Sequence, residues 1–108
     1  MSYVTAHVLD AAAGMPASGV GVRLEDASGE ILATAATDAD GRVADLGPDV
    51  LPPGDYRVVF ATGDYFAARS TPCFHPEVAV LFRTRADQAH YHIPLLVSPF
   101  AYTTYRGS

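Results

Sequence analysis

The last nineteen residues, His90 to Ser108, read HYHIPLLVSPFAYTTYRGS and carry aromatic and β-branched side chains almost to the final position. That composition suits extended backbone and little else. In a strand successive side chains point to opposite faces, so Tyr91, Ile93, Leu95 and Val97 fall on one face and His90, His92, Pro94 and Leu96 on the other. The first face is apolar enough to be core; the second carries two imidazoles. A segment of this kind must sit in a sheet with one side covered, and that restricts the chain to a mainly β architecture.

The same period of two recurs upstream. Between Tyr3 and Leu9, Val4, Ala6 and Val8 alternate with Tyr3, Thr5, His7 and Leu9, which sets His7 away from the valines. The small, turn-rich stretch from Asp10 to Gly19 reads as a connection. Val20, Val22 and Leu24, then Ile31 to Thr37, form the arms of a hairpin around Ser28-Gly29. Asp40-Gly41 is a pair that tolerates positive φ at both central positions of a tight turn, from whose exit Arg42 projects. Tyr56 to Phe60 and Glu77 to Thr84 are further strands. Thr62 to Arg69 suits one short helix that Pro72 would stop, and Ser98-Pro99 divides the last stretch into two strands. Seven to eight short strands at regular spacing predict a two-sheet antiparallel β-sandwich with one short helix. At 108 residues the chain fits a single domain, 1–108, able to bury a core without a disulfide or structural metal.

Charge and cysteine content narrow the partners. A net charge of -5 with seven basic residues, none clustered, argues against nucleic acid. The stretch from Met1 to His7 has no basic leader, and no apolar run is long enough for a membrane span, so no membrane partner is expected. The lone Cys73 has no internal partner, and between Pro72 and Phe74 it reads as a half-buried hydrophobe; a cytoplasmic protein is the expectation.

Candidate chemistry concentrates on few residues. His90 and His92 share a face, His7 lies on another strand, and Arg42 leaves a turn. Two imidazoles and a guanidinium suit hydrolysis of an activated amide, one group deprotonating water and a fixed cation holding the oxyanion. His7, His90 and His92 also fit a zinc site with an open position for water. His75, between Phe74 and Pro76, reads as a loop histidine. At the end of the chain, Arg106 is either a surface strand residue or part of a pocket to which Gly107 allows close approach and Ser108 adds a hydroxyl and an α-carboxylate.

Five blocks in order, His7-Val8-Leu9-Asp10, Gly14-Met15-Pro16-Ala17, Asp40-Gly41-Arg42, His90 to Leu96 and Tyr105-Arg106-Gly107-Ser108, give the chain a resemblance over essentially its whole length to the 5-hydroxyisourate hydrolases, the transthyretin-related enzymes of urate breakdown. The terminal tetrapeptide is the most specific of them. The resemblance implies a transthyretin-like sandwich and a homotetramer whose sites lie at the dimer–dimer interface. It places catalytic roles on His7, Arg42 and His92 and substrate-binding roles on Tyr105, Arg106, Gly107 and Ser108, with His90 in support. It implies no cofactor and no metal. The reaction it implies is hydrolytic opening of 5-hydroxyisourate to 2-oxo-4-hydroxy-4-carboxy-5-ureidoimidazoline.

Two other readings of the same sandwich make different demands. A transthyretin-like carrier of small ligands leaves Arg42 and the histidines without a task. An immunoglobulin-like adhesion domain usually brings a disulfide, and one cysteine cannot make one within the chain. The apolar run Leu95, Leu96, Val97, Phe100 and Tyr102 exceeds what the two faces of a small sandwich need, so part of it is expected at an interface.

Overall fold

The computed structural model describes residues 2–108; Met1, the first residue of the stretch read for a leader, lies outside them. Nine strands and one helix follow in the order β1 Val4–Asp10, β2 Met15–Pro16, β3 Gly21–Asp26, β4 Ile31–Ala36, β5 Arg42–Val43, β6 Gly54–Phe60, α1 Thr62–Ala67, β7 Val78–Thr84, β8 Tyr91–Val97 and β9 Tyr102–Thr104. They form two sheets. One runs β2-β1-β8-β9 with β5 also paired to β1, and the other runs β4-β3-β6-β7.

The period-two segments become the long strands because each has an apolar face to bury. In β1 burial alternates strictly, with Val4, Ala6, Val8 and Asp10 inside and Thr5, His7 and Leu9 half-buried outside. In β8 Tyr91, Ile93, Leu95 and Val97 are buried. They meet Val22 and Leu24 of β3 and Tyr56, Val58 and Phe60 of β6 in one core. Complete burial of a valine, leucine or phenylalanine side chain stabilises by about 1.5–3 kcal/mol, so this facing set is the main force holding the sheets together.

Several expectations change. The sandwich is not wholly antiparallel: β1 and β8 run parallel, from Val4 opposite Tyr91 to Asp10 opposite Val97. A parallel pair needs a long crossover, and here the entire other sheet supplies it. The strand count rises to nine because β2 and β5, two residues each, are too short to alternate. The helix ends at Ala67 rather than Arg69. Its exit is a tight cap in which the amides of Arg69 and Thr71 both donate to the Phe66 carbonyl and Ser70 takes φ 53°. Leu95 and Val97 are core, whereas Phe100 (68% exposed) and Tyr102 (41%) face outward. Cys73 is half-buried and free, as its sequence context indicates. No helix among the described residues is long and apolar enough to cross a membrane.

Pro94 stands inside β8 without breaking the pairing to β1. Backbone groups of the even-numbered residues here face β9: the Gly107 amide donates to the His92 carbonyl at 3.0 Å, and Thr104 Oγ1 donates to the Pro94 carbonyl at 2.8 Å. The odd-numbered Tyr91 amide instead donates to the Tyr3 carbonyl, on the β1 side. The donor that proline lacks is therefore one that would have gone to β9. Leu95 pairs with Thr104 and His92 bridges Gly107 in the same register, yet Tyr105 and Arg106 between them are outside the ladder.

Candidate active site

Three strands bring the candidate residues to the outer face of the first sheet. Thr5 pairs with His92 across the parallel β1–β8 ladder, and His7 pairs with Arg42 across β1–β5. Residues opposite one another in a ladder point to the same side, so Thr5, His7, His92 and Arg42 share one face.

The Asp38–Gly41 turn delivers Arg42. Gly41 alone takes positive φ, at 75°, so the expected pair of positive-φ residues is replaced by one, with Ala39 and Asp40 at the tip. Asp38 Oδ1 accepts from the Asp40 and Arg42 amides, and the Asp38 carbonyl accepts from the Gly41 amide at 2.9 Å. A Cβ on Gly41 would lie 2.3 Å from the Val8 carbonyl oxygen, so only glycine allows this turn to seat against β1. The Arg42 side chain is exposed and makes no ion pair with a carboxylate among the described residues.

His7 Nε2 lies 3.0 Å from the Asp40 carbonyl oxygen. A carbonyl only accepts, so Nε2 carries the hydrogen and the neutral ring keeps its lone pair on Nδ1. The His7 and His92 rings stand 6.4 Å apart between centroids, inclined at 34°, too far for a direct hydrogen bond. His92 is half-buried. Its pKa lies below the ordinary histidine value, first because burial removes solvent from the charged ring, then because Arg42, His7 and His90 add positive charge nearby. A neutral imidazole beside a guanidinium can take a proton from water while the cation faces a developing oxyanion.

Thr5, Arg42, His90, His92 and Ser108 line a cleft of about 220 Å³ together with Ala6, Val43 and Ala44. His7 does not line it; its ring lies 6.4 Å from that of His92. The terminal tetrapeptide is split. Ser108 reaches the cleft, and Gly107 packs under His92. Tyr105 and Arg106 instead line a separate groove of about 310 Å³ between β7 and the β8–β9 edge, bounded by Val80, Phe82 and His92. Within one chain Tyr105 and Arg106 therefore share a groove with His92 but not with Arg42 or His7; freed from the ladder opposite Pro94, they turn toward the open sheet edges, and Arg106 donates to Gln88 Oε1 at 3.1 Å. His7, His90 and His92 do not converge as metal ligands: no cluster of three such residues able to hold an ion occurs among the described residues. His75 lies in a loop, edge-on to Phe74 and Tyr102.

Thr5 was not singled out by its sequence. Its hydroxyl lies 2.8 Å from His92 Nδ1 and 3.0 Å from His90 Nε2. The usable signal was parity, because Thr5 is two residues from His7 on an alternating strand.

Residues 4–107 match the HIUase/Transthyretin family over nearly the whole chain. The chain belongs to that family. The 5-hydroxyisourate hydrolase of Caulobacter vibrioides is 46% identical over 115 residues, an alignment that covers 100% of both chains. Among solved structures, the 5-hydroxyisourate hydrolase of Klebsiella pneumoniae superposes with a TM-score of 0.90 at 37% identity, covering 100% of this chain and 94% of that one. Transthyretin from Sparus aurata superposes equally well, with a TM-score of 0.91 at 34% identity over 99% of this chain and 97% of that one. Family members thus share the sandwich across different tasks, and the site must decide between them.

Proposed function

We propose that this chain is a hydrolase that opens 5-hydroxyisourate to 2-oxo-4-hydroxy-4-carboxy-5-ureidoimidazoline. The observation that carries this reading is the register of three strands, which sets His7 opposite Arg42 and Thr5 opposite His92, so that two imidazoles and an unpaired guanidinium share one sheet face. In this reading His92 and His7 position and deprotonate a water that attacks the ring carbonyl, then return the proton to the leaving nitrogen. Arg42 holds the substrate and steadies the oxyanion; Ser108 orients the ring, and His90 supports His92. The relatives named 5-hydroxyisourate hydrolase support the assignment of substrate.

The reading extends to a homotetramer of one transthyretin-like domain, 1–108. Two observations favour assembly. Both β7 and β9 are unpaired edges, and Leu81 (65% exposed) and Tyr102 lie on them. The cleft is also smaller than the roughly 300–1,000 Å³ usual for a small-molecule site, so neighbouring chains are needed to complete it and to give Tyr105 and Arg106 a place near substrate. A cytoplasmic location accords with the single free Cys73.

The test is to form 5-hydroxyisourate from urate in situ and follow its ultraviolet absorbance with and without protein. Acceleration by the wild type that His92→Asn loses supports the hydrolase; saturable binding without acceleration by a folded oligomer replaces it with a carrier.

A further inference from the structure

One side chain between the imidazoles has no part in the chemistry so far. The Thr5 hydroxyl, half-buried on β1, is within hydrogen-bond distance of His92 Nδ1 (2.8 Å) and His90 Nε2 (3.0 Å) at once. A hydroxyl owns one hydrogen. When it donates to one ring, it must accept from the other to keep both bonds, so the two rings cannot choose their tautomers independently. With both rings protonated the hydroxyl would accept twice and its hydrogen would have no ring nitrogen to donate to.

Resting on the hydrolase reading above, we propose that Thr5 is a positioning residue whose hydroxyl couples the tautomers of His90 and His92, so that the pair takes up one proton at a time. His92 Nδ1 faces Thr5 in either state, which leaves Nε2 as its working nitrogen. For Nε2 to hold a free lone pair, Nδ1 must carry the hydrogen and donate to Thr5 Oγ1. Thr5 then donates to His90 Nε2, and His90 stays neutral with its own hydrogen on Nδ1. During the reaction one water O–H bond breaks as an N–H bond forms at His92 Nε2, and the hydroxide adds to the ring carbonyl. The adduct then collapses, the carbon–nitrogen bond breaks as the leaving nitrogen takes that proton from His92 Nε2, and the Thr5 bonds are unchanged throughout. The charged and titratable groups that act on His92 are Arg42 on β5, His7 on β1 and His90 just before β8, and Ser108 with its α-carboxylate lines the same cleft. Holding His90 neutral prevents a further positive charge from collecting among them.

The test uses Thr5→Val, close in shape and well suited to a strand, and Thr5→Ser, which keeps the hydroxyl. Long-range proton–nitrogen spectra of protein labelled with ¹⁵N-histidine read the tautomers without substrate. In the wild type His92 is expected in the Nδ1–H form and His90 in the Nδ1–H form, with one ring remaining neutral after the other titrates. Thr5→Val is expected to release both tautomers, bring the two titrations together and lower kcat about tenfold to a hundredfold with KM within about twofold, whereas Thr5→Ser keeps the wild-type pattern. Wild-type tautomers and kcat in Thr5→Val, or a Thr5→Ser protein that behaves like Thr5→Val, overturn the proposal. If the wild type shows the coupled tautomers but no turnover, the hydrolase reading falls and the coupling stands.

Discussion

Gly107 lies so close under His92 that a Cβ on the glycine would stand 2.6 Å from His92 Cδ2, with the His92 carbonyl oxygen at 3.0 Å and Pro94 Cγ at 3.1 Å. The absent side chain is what gives the imidazole its position. Gly107→Ala should therefore push the His92 ring out of place and lower hydrolysis of 5-hydroxyisourate by about tenfold or more. The global midpoint of unfolding should change little, because Gly107 sits at the half-exposed end of a sheet. A simultaneous measurement of turnover and thermal midpoint checks this, and unchanged turnover would show that His92 does not depend on the contact.

Burial first, and then electrostatic repulsion from Arg42, His7 and His90, hold the pKa of His92 below the ordinary histidine value of about 6.5. The neutral ring then persists to lower pH, and the acid limb of kcat/KM should fall below that value. Arg42→Gln removes one of the positive neighbours and should move the limb upward, apart from its direct effect on rate. For stability the sign follows from linkage. The unfolded chain binds a proton at this residue at a higher pH than the folded chain, so stability falls as pH drops from the unfolded pKa to the folded one and is flat below it. Denaturant midpoints across this window in wild type and His92→Asn separate the contribution of this ring.

Asp10 is 4% exposed, and its carboxylate accepts from the Tyr65 hydroxyl at 2.7 Å and from the amides of Ala12 and Ala13. Burial and the adjacent carboxylate push the Tyr65 pKa up to about 12. Tyr65→Phe leaves one carboxylate oxygen without this donor in a buried site and should cost about 1–3 kcal/mol of stability. Turnover at a temperature well below the transition should be retained, since the pair lies away from the cleft. Chemical unfolding curves and initial rates on the same sample read both quantities.

Pro94→Ala restores a donor on the β9 side of β8. Tyr105, already in register opposite this position, should join the ladder and close the gap between Thr104 and Gly107. Amide hydrogen exchange at residue 94 is the direct measure, with protection expected in the variant. Rapid exchange there would mean that something other than the missing donor keeps the segment apart.

The long strands were legible because one buried face leaves a period of two in the sequence, as Val4-Ala6-Val8 and Tyr91-Ile93-Leu95-Val97 show. The two short strands were not, since two residues have no period, and Arg42 acquires its partner through one of them. Parallel pairing of β1 with β8 also left no local trace, because the contact joins positions 87 residues apart. The same gap hid Thr5, whose importance lies in what stands beside it across the ladder. His7, Arg42 and His92 could be named from the family resemblance, but neither resemblance nor periodicity showed that Tyr105 would leave the sheet opposite a proline.

The partnership of the first long strand with the eighth also sets an order of events. On the ribosome the strand that carries Thr5 and His7 is made early, and it must wait through the synthesis of the whole second sheet before His92 exists to pair with it. Such distant closure is the slow kind, and until it happens the edge of β1 that pairs with β8 stays open. The chemistry-bearing face thus joins residues made far apart in time, and it cannot exist before the strands of the other sheet have been synthesised.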